Sequence, residues 1–317
     1  MISSSRFRQV AIALAAAVLM PVGSAAQQLT LEGQTGGFLT PTAYVVYTEK
    51  GSFFSHPAIG YHFVNSNKVI GDLHTFNLEE GFANRAEAGY TRSVHITGDS
   101  PAFSSLWHFA GMNIFNGKVV VLKESTGGAW VPGIAVGGVV RTGDRFVSGA
   151  LNQALTGKLK SYTNGDLYAV ATKTWAKPPL PILANFGLKF TNASIYGIGG
   201  QATRFGGRLF GGLGIPLPGP WKTVIVPAAG FTQEPPQVVN LSKILYPPPG
   251  KAHIPTTLDY AVRVTQRNNP HFAFDIGVGQ VAGTIGTTVA VTPQGPQLIP
   301  VDLKARSVLG IGLSYRP

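Results

Sequence analysis

Leu309-Gly310-Ile311-Gly312-Leu313-Ser314-Tyr315, close to the C-terminus, alternates large apolar side chains with glycine or serine. Successive side chains of a strand point to opposite faces, so Leu309, Ile311, Leu313 and Tyr315 share one face and only tiny residues share the other. That is the face pattern of a lipid-facing barrel strand. It recurs in Phe272-Ala273-Phe274-Asp275-Ile276-Gly277-Val278 and in Leu258-Asp259-Tyr260-Ala261-Val262-Arg263-Val264, where the second face carries charges.

At the other end, Arg6 and Arg8 precede an apolar run from Val10 to Met20 and then Pro21-Val22-Gly23-Ser24-Ala25-Ala26. A basic start, a short apolar core and small residues predict a secretory signal peptide, residues 1–26, cleaved after Ala26. Beyond it no unbroken apolar stretch is long enough for a spanning helix. Yet only 12% of the chain is charged, against about 25% in an ordinary soluble domain, and it holds 40 glycines. A closed barrel resolves the conflict, because it satisfies every backbone polar group without a long apolar run. The expectation is an all-β transmembrane antiparallel up-and-down β-barrel over residues 27–317, in the outer membrane of a Gram-negative bacterium.

Cysteine is absent, which excludes a disulfide framework, thiolate metal sites and a cysteine nucleophile. The formal charge of +11 falls by two, to +9, when Arg6 and Arg8 leave with the leader. For an exported barrel such an excess points to lipopolysaccharide phosphates or anions in a pore, not to nucleic acid. Outer-membrane lipid, lipopolysaccharide and the barrel assembly machinery are the expected partners. No cofactor or metal is called for.

A glycine-rich opening, residues 33–43, leads to a first strand expected near Ala43 to Val46. Others are expected near Ala58 to Val64, Ile70 to Leu78, Arg85 to Thr91, Phe109 to Ile114, Ile134 to Arg141, Tyr168 to Thr174, Ile182 to Phe190, Phe205 to Ile215 and Thr223 to Phe231, followed by the three quoted above. With Val119 to Leu122 and Thr284 to Val291 as additional candidates, the even-number tendency gives about 12 strands, in a range of about 10 to 14. Two connections are long. Thr142 to Gly165 contains Val147 to Leu155, which suits a short amphipathic helix, and Gln233 to Pro255 is proline-rich enough to oppose ladder pairing. Both are expected outside the cell or folded over the pore.

Parity names the inward side chains. If the large apolar positions face lipid, the lumen-lining candidates are Arg85, Glu87, Arg141, Lys173, Lys189, Arg204, Arg208, Asp259, Arg263, His271, Asp275, Lys304 and Arg306. In this set Tyr168 and Val170 are taken as outward. Bases exceed acids, and a net-positive lumen favours small anionic solutes. Equally, Glu87 beside Arg85 and Asp259 beside Arg263 suit structural networks that leave no continuous channel. Tyr44, Tyr61, Tyr90, Trp107, Trp130, Trp175, Trp221, Tyr260 and Tyr315 suit interfacial girdles.

An outer-membrane lipid hydrolase or acyltransferase would need a Ser-His-acid set. His74 with Asp72 and His271 with Asp275 each share a strand face, but no Gly-x-Ser-x-Gly elbow and no His-Glu-x-x-His occurs. Arg204-Phe205-Gly206-Gly207-Arg208 lacks the Lys-Ser/Thr of a phosphate loop. The chain is not expected to be an enzyme.

Leu31-Glu32-Gly33-Gln34-Thr35-Gly36-Gly37-Phe38-Leu39-Thr40-Pro41-Thr42-Ala43, Asn164-Gly165-Asp166-Leu167-Tyr168-Ala169-Val170-Ala171-Thr172-Lys173 and Ile276-Gly277-Val278-Gly279-Gln280-Val281 together resemble an uncharacterised proteobacterial family of outer-membrane proteins, a domain of unknown function. The resemblance covers essentially the whole mature chain and supplies no catalytic residue. The Gly-x-x-x-Thr-Pro-Thr-Ala start is also similar to barrels linked to exopolysaccharide secretion, over the first strand alone. Outer-membrane barrels usually finish on an aromatic residue, whereas here Arg316-Pro317 follow Tyr315.

The expected function is a passive channel or porin for small solutes with a net-basic, anion-preferring lumen. The alternative is a plugged barrel, structural or associated with polysaccharide secretion, without an open pore.

Overall fold

The computed structural model of the chain describes residues 28–65, 71–97, 109–145, 163–176, 180–193, 201–235, 237–239, 250–252, 255–267, 271–282, 287–292, 295–300 and 307–316. The signal peptide and the Val147 to Leu155 helix expected from the sequence lie outside these residues.

Twelve antiparallel strands form one closed sheet. In chain order they are β1 Ala58–Asn65, β2 Gly71–Phe82, β3 Ala86–Thr97, β4 Phe109–Leu122, β5 Gly133–Arg145 and β6 Thr163–Trp175. Then come β7 Ile182–Ala193, β8 Gln201–Gly214, β9 Thr223–Thr232, β10 Thr257–Gln266, β11 Phe272–Val281 and β12 Val308–Tyr315. Each pairs with its sequence neighbours, and β12 also pairs with β1, Leu313 opposite Tyr61 and Gly310 opposite Val64, which closes the barrel.

The period-two pattern runs round the whole sheet with its polarity inverted relative to a soluble protein. In β2, Thr75, Asn77 and Glu79 are buried inside while Phe76 and Leu78 are exposed outside. Phe115, Phe186, Phe190, Phe205, Tyr260, Ile276 and Leu313 likewise face outward. An apolar surface that encircles the molecule is far larger than a soluble monomer exposes, and hydrocarbon is the solvent that matches it. No helix among the described residues is long and apolar enough to cross a membrane; the strands do so instead.

Alternate connections share an end. The ends of β2–β3, β8–β9 and β10–β11 that follow one another in the chain lie at the end that holds Tyr315, and those of β3–β4, β5–β6, β9–β10 and β11–β12 at the other. The strands that flank both long connections anticipated from the sequence end on the side opposite Tyr315; of the first, Thr142–Arg145 and Thr163–Gly165 belong to β5 and β6, and residues 146–162 lie outside the described residues.

Three expectations are corrected. Ala43 to Val46 is not a strand of the sheet, which begins at Ala58. Val119 to Leu122 is not a separate strand but the end of β4, continued past a register irregularity between Val120 and Leu122. Within the proline-rich connection, Gln237–Val239 does pair with Gly250–Ala252, because the prolines flank those two segments and leave their backbone donors free. The candidate at Thr284 to Val291 corresponds to Thr287–Thr292, which pairs with Gly295–Pro300 in a ladder apart from the barrel.

Candidate functional site in the occupied lumen

Residues 28–48 run through the barrel. Gln28 to Gln34 and Phe38 to Thr40 are buried almost completely, and among the described residues it is the inner face of the sheet that encloses them. The sequence explains why this stretch is neither strand nor helix. Gly33, Gly36, Gly37 and Pro41 break both periods, and Gly33 adopts φ +97°, a left-handed conformation open to glycine. Isolated bridges, Leu29 to Thr35 and Gly36 to Pro41, fold the segment into a compact double bend.

The wall binds it by ion pairs and by hydrogen bonds to its backbone. On β4, the Lys118 ammonium donates to the carbonyls of Thr35 at 3.0 Å and Thr42 at 2.9 Å and pairs with Glu87 at 2.9 Å. Glu87, on β3, accepts from the backbone N–H of Thr35 and of Val46, both at 2.9 Å, and from the Thr35 hydroxyl. On β5, Arg141 holds Glu32 of the segment through Nε and Nη2 and also reaches Asp166 on β6 at 2.6 Å. Arg263, on β10, pairs with Asp275 on β11 at 3.1 Å and donates to the Gly36 carbonyl at 3.0 Å.

Amides complete the lining. Asn77 donates to the Leu31 carbonyl, Asn116 to the Glu32 carbonyl, and Asn185 to Pro41. Apolar contacts are fewer and local: Leu31, Phe38 and Leu39 cluster with Val64, Leu73 and Ala261, and Ala43 and Val45 with Met112, Ile114 and Val139. At the first strand, His62 Nε2 lies 3.1 Å from the Leu29 carbonyl, while the Leu29 N–H points to Ser314 Oγ on the last strand at 3.5 Å. The segment leaves at the short-turn end. There Asn84, at φ +52° in the β2–β3 turn, brackets Thr48 with bonds of 2.7 Å and 2.6 Å to its N–H and C=O.

Of the residues expected to line the lumen, Glu87, Arg141, Lys189, Arg208, Asp259, Arg263 and Asp275 do face inward. Arg85 does not: it lies exposed in the β2–β3 turn, its guanidinium 3.4 Å from the Val120 carbonyl. Lys173 has the outward register, opposite Ala184, and is buried at the rim against Glu124 at 2.9 Å. His271 sits in the turn before β11, against the Arg316 carbonyl at 2.7 Å, and does not meet Asp275. The Arg204 side chain, Lys304 and Arg306 lie outside what is described.

The β6 parity is the reverse of that expected. Tyr168 and Val170 are buried inside, and Leu167 is exposed. This turns Asp166 inward and Lys173 outward. Tyr44, assigned to a girdle, belongs to the segment and bonds Glu124 and Thr174 at the rim. Lys118 and Asn116 were hidden because β4 reads as two short strands whose parity cannot be joined, and Glu79 because it lies one residue past the end expected for its strand, Ile70 to Leu78. Among the described inward residues, the basic surplus disappears: Lys118, Arg141, Lys189, Arg208 and Arg263 stand with Glu32, Glu79, Glu87, Asp166, Asp259 and Asp275. The networks pair differently from the sequence expectation, Glu87 with Lys118 and Arg263 with Asp275.

No family model and no curated protein matches the chain. Among solved structures it is similar to the KdgM porin, with TM-score 0.44 and 11% identity over 82% of this chain and 99% of that one. It is also similar to the beta domain of the Bordetella autotransporter Brka, at TM-score 0.36 and 12% identity over 84% and 100% of the two chains. A third likeness is the translocator domain of the autotransporter NalP from Neisseria meningitidis, at TM-score 0.35 and 13% identity over 83% and 87%. The closed sheet, the apolar exterior and the polar interior of the chain itself make it an outer-membrane β-barrel.

Proposed function

We propose that the protein is an outer-membrane channel of porin type, closed at rest by its own residues 28–48. The observation that carries this reading is the polar bonding between that segment and the lumen wall. Side chains alone just fill a barrel of about eight strands; at twelve, either water or a plug takes up the remaining space. Here the wall contributes Lys118, Arg141, Arg263 and a set of asparagines, groups that water solvates well once the segment is gone.

Withdrawal changes the charge balance. Glu32 leaves with the segment, so of its two acids Arg141 retains Asp166, and Lys118 and Arg263 lose the carbonyls of Thr35, Thr42 and Gly36. Among the described inward residues the open lumen thus moves from one acid in excess to balance, which shifts its preference toward small anions relative to the closed one.

The test is conductance in planar bilayers of the intact protein and of a variant lacking residues 28–48. The intact barrel is expected to pass little current and the deletion variant a large current, chloride over potassium. A deletion variant that folds, as judged by its heat-dependent gel shift, yet passes no current would assign the segment a purely structural role and overturn the channel reading.

A further inference from the structure

Between the lumen and the wall the chain crosses the rim in a few residues. Val46 and Thr48 are buried inside, residues 49–52 are exposed, and the exposed Phe53 and Phe54 rings pack on Phe82, which shares the outward parity of Phe76 and Leu78 on β2. Two backbone bonds tie that outer stretch to the sheet, from the Ser55 N–H to the Gly81 carbonyl at 2.9 Å and from the Ala83 N–H to the Phe53 carbonyl at 2.7 Å. The crossing itself is a turn, closed by the Ser52 N–H on the Glu49 carbonyl at 3.1 Å, with Gly51 at φ +92°. A Cβ at Gly51 would meet nothing within 4 Å. The segment is thus joined to a fixed wall through a short exposed turn, which is the form of a hinge.

Arg316 stands over this crossing. It follows Tyr315, the last residue of β12, and its guanidinium carbon lies 5.4 Å from the centroid of the Tyr47 ring. At that distance the ring's quadrupole attracts the cation. Glu49, two residues on, attracts the same charge. The backbone of Arg316 is held as well: its N–H donates to the His271 carbonyl at 2.8 Å, and its own carbonyl lies 2.7 Å from His271 Nδ1. Its base is therefore fixed to the β10–β11 turn while its tip rests on the segment. Neither Tyr47 nor Arg316 belongs to a barrel strand, so breaking their contact leaves every strand pair in place.

We propose that Arg316 is a latch on the segment: it holds the exit through Tyr47, and its release lets residues 28–48 swing out at the short-turn end about the turn at 49–52. The inference rests on the reading of this segment as a movable plug. It gives the residue beyond Tyr315 a role apart from closure of the sheet.

The chain has no cysteine, so a thiol placed on the segment reports its exposure without any current. Gly37 suits the purpose, because a Cβ there meets only Thr40, at 3.6 Å. In the full-length Gly37→Cys protein, folded in detergent micelles, maleimide labelling is expected to be slow. Adding Arg316→Gln or Tyr47→Leu should speed it about two- to fivefold, and the two together should do no more than either alone. Arg316→Lys and Tyr47→Phe, which keep a cation and a ring, should restore most of the slow rate. An unchanged rate in folded Arg316→Gln, or additive effects of the two changes, overturns the latch; Tyr47→Leu reads the same contact if Arg316→Gln fails to fold. Conductance separates this inference from the channel reading. A silent barrel lacking residues 28–48, with labelling still accelerated by Arg316→Gln, would sink the channel and keep the latch, and a conducting one with labelling unmoved would do the reverse.

Discussion

Arg141 on the barrel wall grips Glu32 in the plug through two parallel N–H···O bonds, and its Nη2 also reaches Asp166 on the next strand. The fork geometry of a guanidinium matches a carboxylate, and a pair so fully withdrawn from water holds position as well as charge. Glu32→Ala leaves Arg141 buried with one acid. Removing one partner of a buried pair costs about 3–5 kcal/mol, and the retained Asp166 places this variant toward the low end. Urea titration of the gel-shifted band should register the loss, and bilayer recordings should show more frequent opening.

Lys118 and Glu87 form the second tie, and their partners overlap: both bond Thr35 of the segment. Lys118→Met and Glu87→Gln should therefore be non-additive. Each alone leaves a buried charge, whereas the double variant leaves none, so a double-mutant cycle should return a coupling of roughly 1–3 kcal/mol. Additive losses would mean that the two groups act separately.

Asn84 holds the exit of the segment while its own backbone is left-handed. Asn84→Gly keeps that conformation open and removes only the bracket on Thr48. About 1 kcal/mol of stability should be lost, with a larger effect on the open fraction than on the midpoint of unfolding. Equal effects on both would place the bracket in the barrel's stability and not in its closure.

Gly310 makes room for Phe38: a Cβ there would stand 2.4 Å from the Phe38 ring. Gly310→Val should expel that ring and raise conductance without breaking the β11–β12–β1 ladder. Cleavage of the segment by added protease, in a folded barrel, checks the displacement independently of current.

Much of the barrel was legible because alternation in a strand with lipid on one side is a strong, local signal. Leu309, Ile311, Leu313 and Tyr315 identify their face without any knowledge of partners. Gly310 and Gly312 fixed the parity of the inner face, but what occupies the space beside them was not visible: Phe38 and His62 come from elsewhere in the chain. Nothing in period-two reasoning detects a segment whose order comes from being surrounded. Its composition did carry a hint, since residues 33–41 suit no periodic element, yet they were read as the approach to a strand. The β6 inversion has a similar cause. Tyr168 and Val170 look like lipid contacts by type, and only the pairing of Asp166 with Arg141 reveals that they pack inward against Phe210 and Val139.

Leu29 touches His62 on β1 and Ser314 on β12, the two strands whose pairing completes the cylinder. The contacts of the earliest described stretch of the chain are thus complete only when its final strand is in place. Closure of the last ladder and completion of the innermost peptide's contacts are therefore tied to each other through Leu29.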